Sequence, residues 1–220
     1  MSLLVTGSDS GIGRAVVELA ERRGHQVHAL DLATGVDAAD DQAVAEFVAG
    51  IDDLSAVAHI AGVVSAGSVD DVGMAEWDRV IRNNLTSAFV IARHTVPRLA
   101  AAGGGAMVLM SSLNARDGGN RLSGVAYASA KAGVLGLMRH LAVVWGARNV
   151  RVNAVAPGPV ATPIHDRLTA EQRALLLDKM PLRRISAADE IAEIILFLLS
   201  EACASVTGTT FDVNEGMYPT

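Results

Sequence analysis

The chain has 220 residues, 50% of them hydrophobic, and a formal net charge of -6. That length suits one domain with a sizeable core, and the composition lies far from the disorder signature. The acidic balance without a basic run argues against a nucleic-acid partner, and the apolar stretches are broken by Gly, Pro or charge short of a membrane span.

Met1–Gly7 is apolar but has neither a basic flank nor a long apolar core, so it reads as a first strand and a cytoplasmic protein is expected. Val5 leads into Thr6-Gly7-Ser8-Asp9-Ser10-Gly11-Ile12-Gly13, followed by Ile12, Val16, Leu19 and Ala20 at helical spacing, a stop at Gly24 and a strand Gln26–Leu30 ending at Asp31. A strand, glycine loop, helix and strand of this size make one parallel βαβ unit. Glycines let backbone approach a pyrophosphate, and the helix N-terminus supplies amide donors. Asp31, 18 residues past Gly13, can accept from an adenosine ribose and would repel a 2′-phosphate, so NAD is favoured over NADP. Neither Ser10 nor Leu32 supplies a basic partner for such a phosphate.

Asp40–Val48 reads as a helix, and Leu54–Ile60 as a buried parallel strand ending in Ala61-Gly62, a second close-approach site. His59 is expected to be a hydrogen-bonded structural residue, since no group at ligand spacing accompanies it, and no metal is expected. Met74–Leu99 reads as one long helix carrying Asn83-Asn84, with Pro97 near its end. The two amides make either a surface pair or an inward Asn bonded to backbone or water. Ala106–Met110 is a strand ending at Ser111-Ser112, where open α/β sheets place ligands. Asn114–Gly124 reads as a loop, and Asn149–Ala156 as another strand, followed by Pro157-Gly158-Pro159-Val160-Ala161-Thr162. Residues 162–181 are expected to form a substrate lid. Ser186–Ser200 reads as a helix with a capping box from Ser186 to Asp189, and Gly208–Val213 as the last strand. The lone Cys203 excludes an internal disulfide and reads as a small buried hydrophobe.

In the helix after Gly124, Tyr127 and Lys131 lie four apart and so project from one face. A phenol titrating near ~10 is a poor base at neutral pH, and a neighbouring cation is expected to lower that value. A tuned phenol can exchange a proton with an alcohol or carbonyl oxygen, which leaves a hydride for a dinucleotide to carry.

Together these stretches resemble the classical short-chain dehydrogenase/reductase family over nearly the whole chain. The residues carrying the resemblance are Thr6-Gly7, Gly11-Ile12-Gly13, Ala61-Gly62, Asn84-Leu85, Ser112, Tyr127 with Lys131, and Pro157-Gly158-Pro159-Val160 with Thr162. The resemblance implies one doubly wound, Rossmann-like parallel sheet with helices on both faces, and a single catalytic domain over 1–220. It implies Tyr127 as general acid/base, Lys131 binding the nicotinamide ribose and lowering the Tyr127 pKa, Ser112 holding the substrate oxygen, and Asn84 supporting a proton relay. Asp37, with Ala38 beside it, matches the position receiving the adenine amino group, and Gly7, Ser10, Ile12, Leu32, Pro157, Gly158, Val160 and Thr162 fall on cofactor-contacting positions. The family's Asn-Asn-Ala-Gly turn is His59-Ile60-Ala61-Gly62 here, Ser112 lies 15 residues before Tyr127 in an enlarged loop with Ser111 as a rival, the adenine side around 33–54 is trimmed, and the closing glycine pair is Glu215-Gly216. The expected activity is NAD(H)-dependent interconversion of a small apolar secondary alcohol and a ketone by a homodimer or homotetramer. An NADPH-dependent ketoreductase of acyl thioesters and a non-catalytic dinucleotide-binding regulator are the alternatives.

Overall fold

The computed structural model describes residues 1–161 and 169–219. Along the chain run β1 (Ser2–Thr6), α1 (Gly11–Arg22), β2 (Gln26–Leu30), α2 (Asp41–Ala49), β3 (Ala56–His59), α3 (Met74–Ile81), α4 (Ser87–Ala101) and β4 (Gly105–Met110). Then come α5 (Asn114–Asp117), α6 (Val125–Trp145), β5 (Val150–Pro157), α7 (Ala170–Asp178), α8 (Ala188–Leu199) and β6 (Thr210–Val213). The strands form one six-stranded sheet in the order β2-β1-β3-β4-β5-β6, every neighbouring pair parallel.

Period-two alternation decides which side chain enters which layer. Leu3 and Val5, Ala56 and Ala58, and Ala106 and Val108 pack with Val16 and Leu19 of α1 and Ile191 and Ile195 of α8. The intervening Leu4, Val57, Met107 and Leu109 face the opposite way, with Val44 of α2, Ile91 of α4 and Val134 and Met138 of α6. Helices thus cover both faces, as the doubly wound reading requires. The strand order reverses between β1 and β3, so their carboxyl ends open the crevice in which such sheets bind ligands. The trimmed stretch after β2 is a short turn, Leu32–Thr34, capped by Asp31, so β2 forms one border of the sheet.

Three local expectations are refined. The stretch Met74–Leu99 is helical throughout, as expected, but not regular, because a π turn, Arg82–Thr86, sits between α3 and α4. Side chains take carbonyls that a regular ladder would use: Asn84 Nδ2 donates to Val80 O at 2.9 Å and Ser87 Oγ to Asn83 O at 2.9 Å, which widens the turn. Pro97 lies inside α4, which continues to Ala101. The stretch after Ser112 is not all loop, since α5 forms where Ser112 Oγ accepts from Asn114 N and ends at Gly118 in the left-handed region (φ 80°). The expected capping box of α8 is replaced by half of one: Ala187 is the N-cap and has no side-chain acceptor, and Glu190 accepts from its amide at 2.8 Å. Of the expected 162–181 lid, α7 is described, whereas residues 162–168, Thr162 among them, lie outside the described residues.

The last turn of α8 is tied to the sheet by Arg151 of β5. Its guanidinium donates to Leu198 O (2.8 Å), Ser200 O (3.0 Å) and Leu199 O (3.3 Å). A fork of donors here satisfies terminal carbonyls and opposes the negative end of the helix dipole. Arg151→Ala should destabilise the fold by about 2 kcal/mol, a fall of roughly 4–8 °C in Tm. Arg151→Lys should recover only part of this, because it keeps the charge and loses the fork. Thermal melts of the two variants check both values.

Candidate active site

The glycine loop follows β1 at the crevice. Gly7 adopts φ +69°, and a Cβ there would lie 2.8 Å from Ala61 N. A Cβ at Gly13 would lie 1.9 Å from Gly7 O, so α1 starts hard against the loop only because position 13 has no side chain. Ser10 is the N-cap of α1 and makes no side-chain capping bond, so the helix start presents its amides at the loop. At the end of β2, Asp31 holds its carboxylate against this loop, Oδ2 accepting from Asp9 N (3.2 Å) and Oδ1 from Ala33 N (2.9 Å). Leu32 beside it is exposed.

Asp37 is organised by a partner not apparent from its neighbours in sequence. Its Oδ1 accepts from Ala39 N at 2.9 Å and its Oδ2 from Arg82 of the π turn at 2.7 Å. Burial works against the Asp37 carboxylate, but the Ala39 amide and the Arg82 guanidinium outweigh it and hold its pKa below the ordinary value. Ala38 is buried.

The chemistry-bearing groups meet at the carboxyl end of β4. Ser112 is buried, and its hydroxyl lies near enough to the half-buried Tyr127 phenol to act on that group's pKa. Ser111, the rival, is buried elsewhere and donates to Lys131 O at 3.0 Å, so it braces α6 instead. Lys131 is 3% exposed; its Nζ donates to Met110 O at 2.9 Å and lies 5.6 Å from the Tyr127 ring centroid. Burial depresses the Lys131 pKa to about 8. The expected lowering of the Tyr127 pKa is corrected: burial raises it, and the Ser112 hydroxyl offsets only part of the rise. A lysine beside the ring face does not outweigh the desolvation of the phenolate here.

Asn84 is fully buried and turned inward by the π turn, its Nδ2 donating to Val63 O and Val80 O, both at 2.9 Å. Its Oδ1 is buried without a hydrogen-bond partner among the described residues. A Cβ on Gly62 would lie 2.4 Å from this Oδ1 and 3.3 Å from Lys131 Nζ, so only a glycine lets the turn after β3 pack this closely on the asparagine and the ammonium. An ammonium carries three donors, and Met110 O takes one. The remaining donors and the unpartnered Asn84 Oδ1 suit a hydroxylated group, and the residues present therefore fit a dinucleotide, with Lys131 to hold a ribose and the glycine loop to hold phosphates.

The His59 substitution also finds its explanation here. The Thr6 hydroxyl accepts from Ile60 N (3.1 Å) and Ala61 N (3.2 Å), so its own proton goes to His59 Nδ1 at 2.8 Å. His59 Nε2–H then donates to Ser87 Oγ at 3.3 Å, and Ser87 donates onward to Asn83 O. This chain needs a neutral imidazole and links β1, β3 and the π turn that carries Asn84. The Thr6–His59–Ser87 chain and Arg82 were not identified from the sequence, because each joins residues distant along the chain.

The comparisons with known proteins agree with this geometry. A family model described as enoyl-(acyl carrier protein) reductase matches residues 13–218. A short-chain type dehydrogenase/reductase of Sinorhizobium fredii is 35% identical, covering 96% of this chain and 93% of the relative. The cis-4-hydroxycyclohexanecarboxylate dehydrogenase of Sinomonas cyclohexanicum is 35% identical over 97% of this chain and 94% of its own. Among solved structures, a 3-oxoacyl-[acyl-carrier protein] reductase from Brucella melitensis with bound NAD superposes with a TM-score of 0.90 at 29% identity, covering 100% of this chain and 91% of that one. The chain belongs to the short-chain dehydrogenase/reductase family of oxidoreductases, whose members use a nicotinamide dinucleotide. Among the described residues no helix is long and apolar enough to cross a membrane.

Burial, and secondarily the Lys131 charge, depresses the His59 pKa to about 3. The unfolded chain therefore binds a proton that the folded chain refuses between about pH 6.5 and 3. Stability contributed by neutral His59 is full above 6.5 and falls by at most about 1.4 kcal/mol per pH unit below it. His59→Asn should remove this component, so the wild-type and variant denaturation midpoints should converge or cross as pH drops from 7 to 4.

Proposed function

We propose that the protein is an NAD(H)-dependent dehydrogenase that interconverts a small secondary alcohol and a ketone. The observation carrying this reading is the convergence of Ser112, Tyr127 and Lys131 at the carboxyl end of β4, near the unpartnered Asn84 Oδ1. Tyr127 Oη takes the alcohol proton in oxidation and returns it in reduction. Ser112 Oγ holds the substrate oxygen as charge develops on it. Lys131 holds the ribose, and Asn84 Oδ1 accepts from a water or hydroxyl bridging toward Lys131 Nζ. Bound at this site, the dinucleotide would accept the hydride in oxidation and supply it in reduction.

Asp31, Asp37, Ala38 and the loop Gly7–Gly13 bind the adenosine and pyrophosphate, while Ala61, Gly62, Pro157, Gly158 and Val160 flank the nicotinamide half. A single catalytic domain and a cytoplasmic location complete this reading. Self-association as a homodimer or homotetramer is supported by apolar side chains left at the surface, Phe89 on α4 and Val143 and Val144 on α6 being 50%, 82% and 52% exposed.

Likeness to 3-oxoacyl-[acyl-carrier protein] reductases supports a second reading as an acyl-thioester ketoreductase. Asp31 against the glycine loop favours the first, since NADPH would bring a 2′-phosphate to its carboxylate. An absorbance assay of NADH formation over a panel of secondary alcohols, run with both cofactors and against reduction of a 3-oxoacyl thioester, separates the two. In that assay Tyr127→Phe should lower kcat by about 10²–10⁴-fold, with NADH binding unchanged by fluorescence titration. Asp31→Ala should erode the preference for NAD over NADP by about tenfold or more, read as the ratio of the two kcat/KM values.

A further inference from the structure

Glu215 follows β6 at a position where the family resemblance calls for glycine, and it carries two liabilities. Its backbone is in the left-handed region, φ +55°, which a side chain disfavours. Its carboxylate is also removed from water, the side chain being 4% exposed, and a buried charge is costly unless it is paired.

The contacts that hold it there all reach the segment before α8. Glu215 Oε1 accepts from Ser186 Oγ at 2.7 Å and lies 3.2 Å from an Arg184 guanidinium nitrogen. Glu215 O accepts from Leu182 N at 3.2 Å. Ser186 in turn pairs with the chain leaving β5: it bridges Val160 in parallel, and Ser186 O accepts from Ala161 N at 2.8 Å. Ser186 and Val160 are both buried. Ser186, turned to Glu215, stands one residue before the α8 N-cap at Ala187.

The exit of β5 lies at the catalytic end of the crevice. Pro157 O accepts from Leu113 N, next to Ser112, at 2.8 Å. Asp31 and Asp37 lie on the far side of the switch point, beyond β1. A dinucleotide spanning the crevice would place its reactive half near Tyr127 and the chain leaving β5, which runs from Pro157 to Val160, with its adenine half elsewhere.

We propose that Glu215 is a positioning residue for the nicotinamide half of the cofactor: through Ser186 it fixes the backbone of Val160 and Ala161 against which that half binds. The inference rests on the cofactor reading above. Removing the carboxylate leaves the Ser186 hydroxyl without its acceptor and frees Val160–Ala161 to shift, while the glycine loop and the Asp31 and Asp37 contacts stay as they are.

The test is made on the full chain, with Glu215→Ala, Glu215→Gly and Ser186→Ala compared with wild type. NADH is titrated by its fluorescence, ADP-ribose is titrated by calorimetry as a probe that carries everything but the nicotinamide ring, and Tm is recorded. Each variant should weaken NADH by about threefold or more, with ADP-ribose affinity unchanged. Glu215→Gly relieves the backbone and should retain a higher Tm than Glu215→Ala while losing NADH affinity to a similar degree. Unchanged NADH affinity in all three variants overturns the inference, as does parallel weakening of NADH and ADP-ribose, which marks a purely structural role. If wild type binds ADP-ribose but not NADH, the cofactor reading itself fails, a result distinct from wild-type binding with unaffected variants.

Discussion

An ammonium group held out of water dictates much of the site's design. Lys131 is buried in the first half of α6, and Met110 O receives one of its protons. A buried cation is tolerated only where acceptors surround it without crowding it. This requirement accounts for three features near it: a glycine at position 62, where any side chain would press on Asn84 Oδ1 and approach the ammonium; an asparagine turned fully inward; and a π turn that gives the asparagine this direction while satisfying its Nδ2. The Tyr127 phenol stands in the same poorly hydrated surroundings, where burial favours its protonated form. Water exclusion therefore acts oppositely on the two charges, destabilising the phenolate and depressing the ammonium, and the site holds both groups nearer neutrality than isolated side chains would be.

The crevice depends equally on hydrogen bonds that join the strand ends. Thr6 receives the amides of Ile60 and Ala61, which fixes the turn after β3 to the end of β1. A histidine at position 59 fits because it both accepts from Thr6 and donates to Ser87, extending this link across to α4. Only one tautomer does both, so the burial that suppresses protonation of His59 also preserves the chain.

What could be read from the sequence was what local sterics and periodicity impose. Apolar runs in β1, β3 and β4 declared strands covered on both faces, Gly7, Gly11 and Gly13 declared a close backbone approach, and the four-residue spacing of Tyr127 and Lys131 declared a shared helical face. Features that depend on a distant partner were not legible. The π turn at Arg82–Thr86 arises from side chains competing for carbonyls within a sequence whose periodicity is still helical. The N-cap of α8 falls at Ala187, and Ser186 donates instead to Glu215, 29 residues away. The direction of the Tyr127 shift depends on how much water reaches the phenol, which the spacing to Lys131 does not report. Arg82 reaches Asp37 across 45 residues, and no local pattern announces the pairing.

The shortened connection after β2 also reshapes the molecule's outline. The turn Leu32–Thr34 leads directly toward α2 without returning to the sheet, so β2 becomes a border strand. Its sequence, Gln-Val-His-Ala-Leu, is short and places polar Gln26 and His28 on one side of the pleat, with Gln26 and Ala29 exposed. Such a border is a poor template for another strand. The four-residue β6 at the opposite border is similarly brief. Growth of the sheet from copy to copy is thus discouraged at both ends, leaving the apolar helical surfaces as the ground on which copies of the chain can meet.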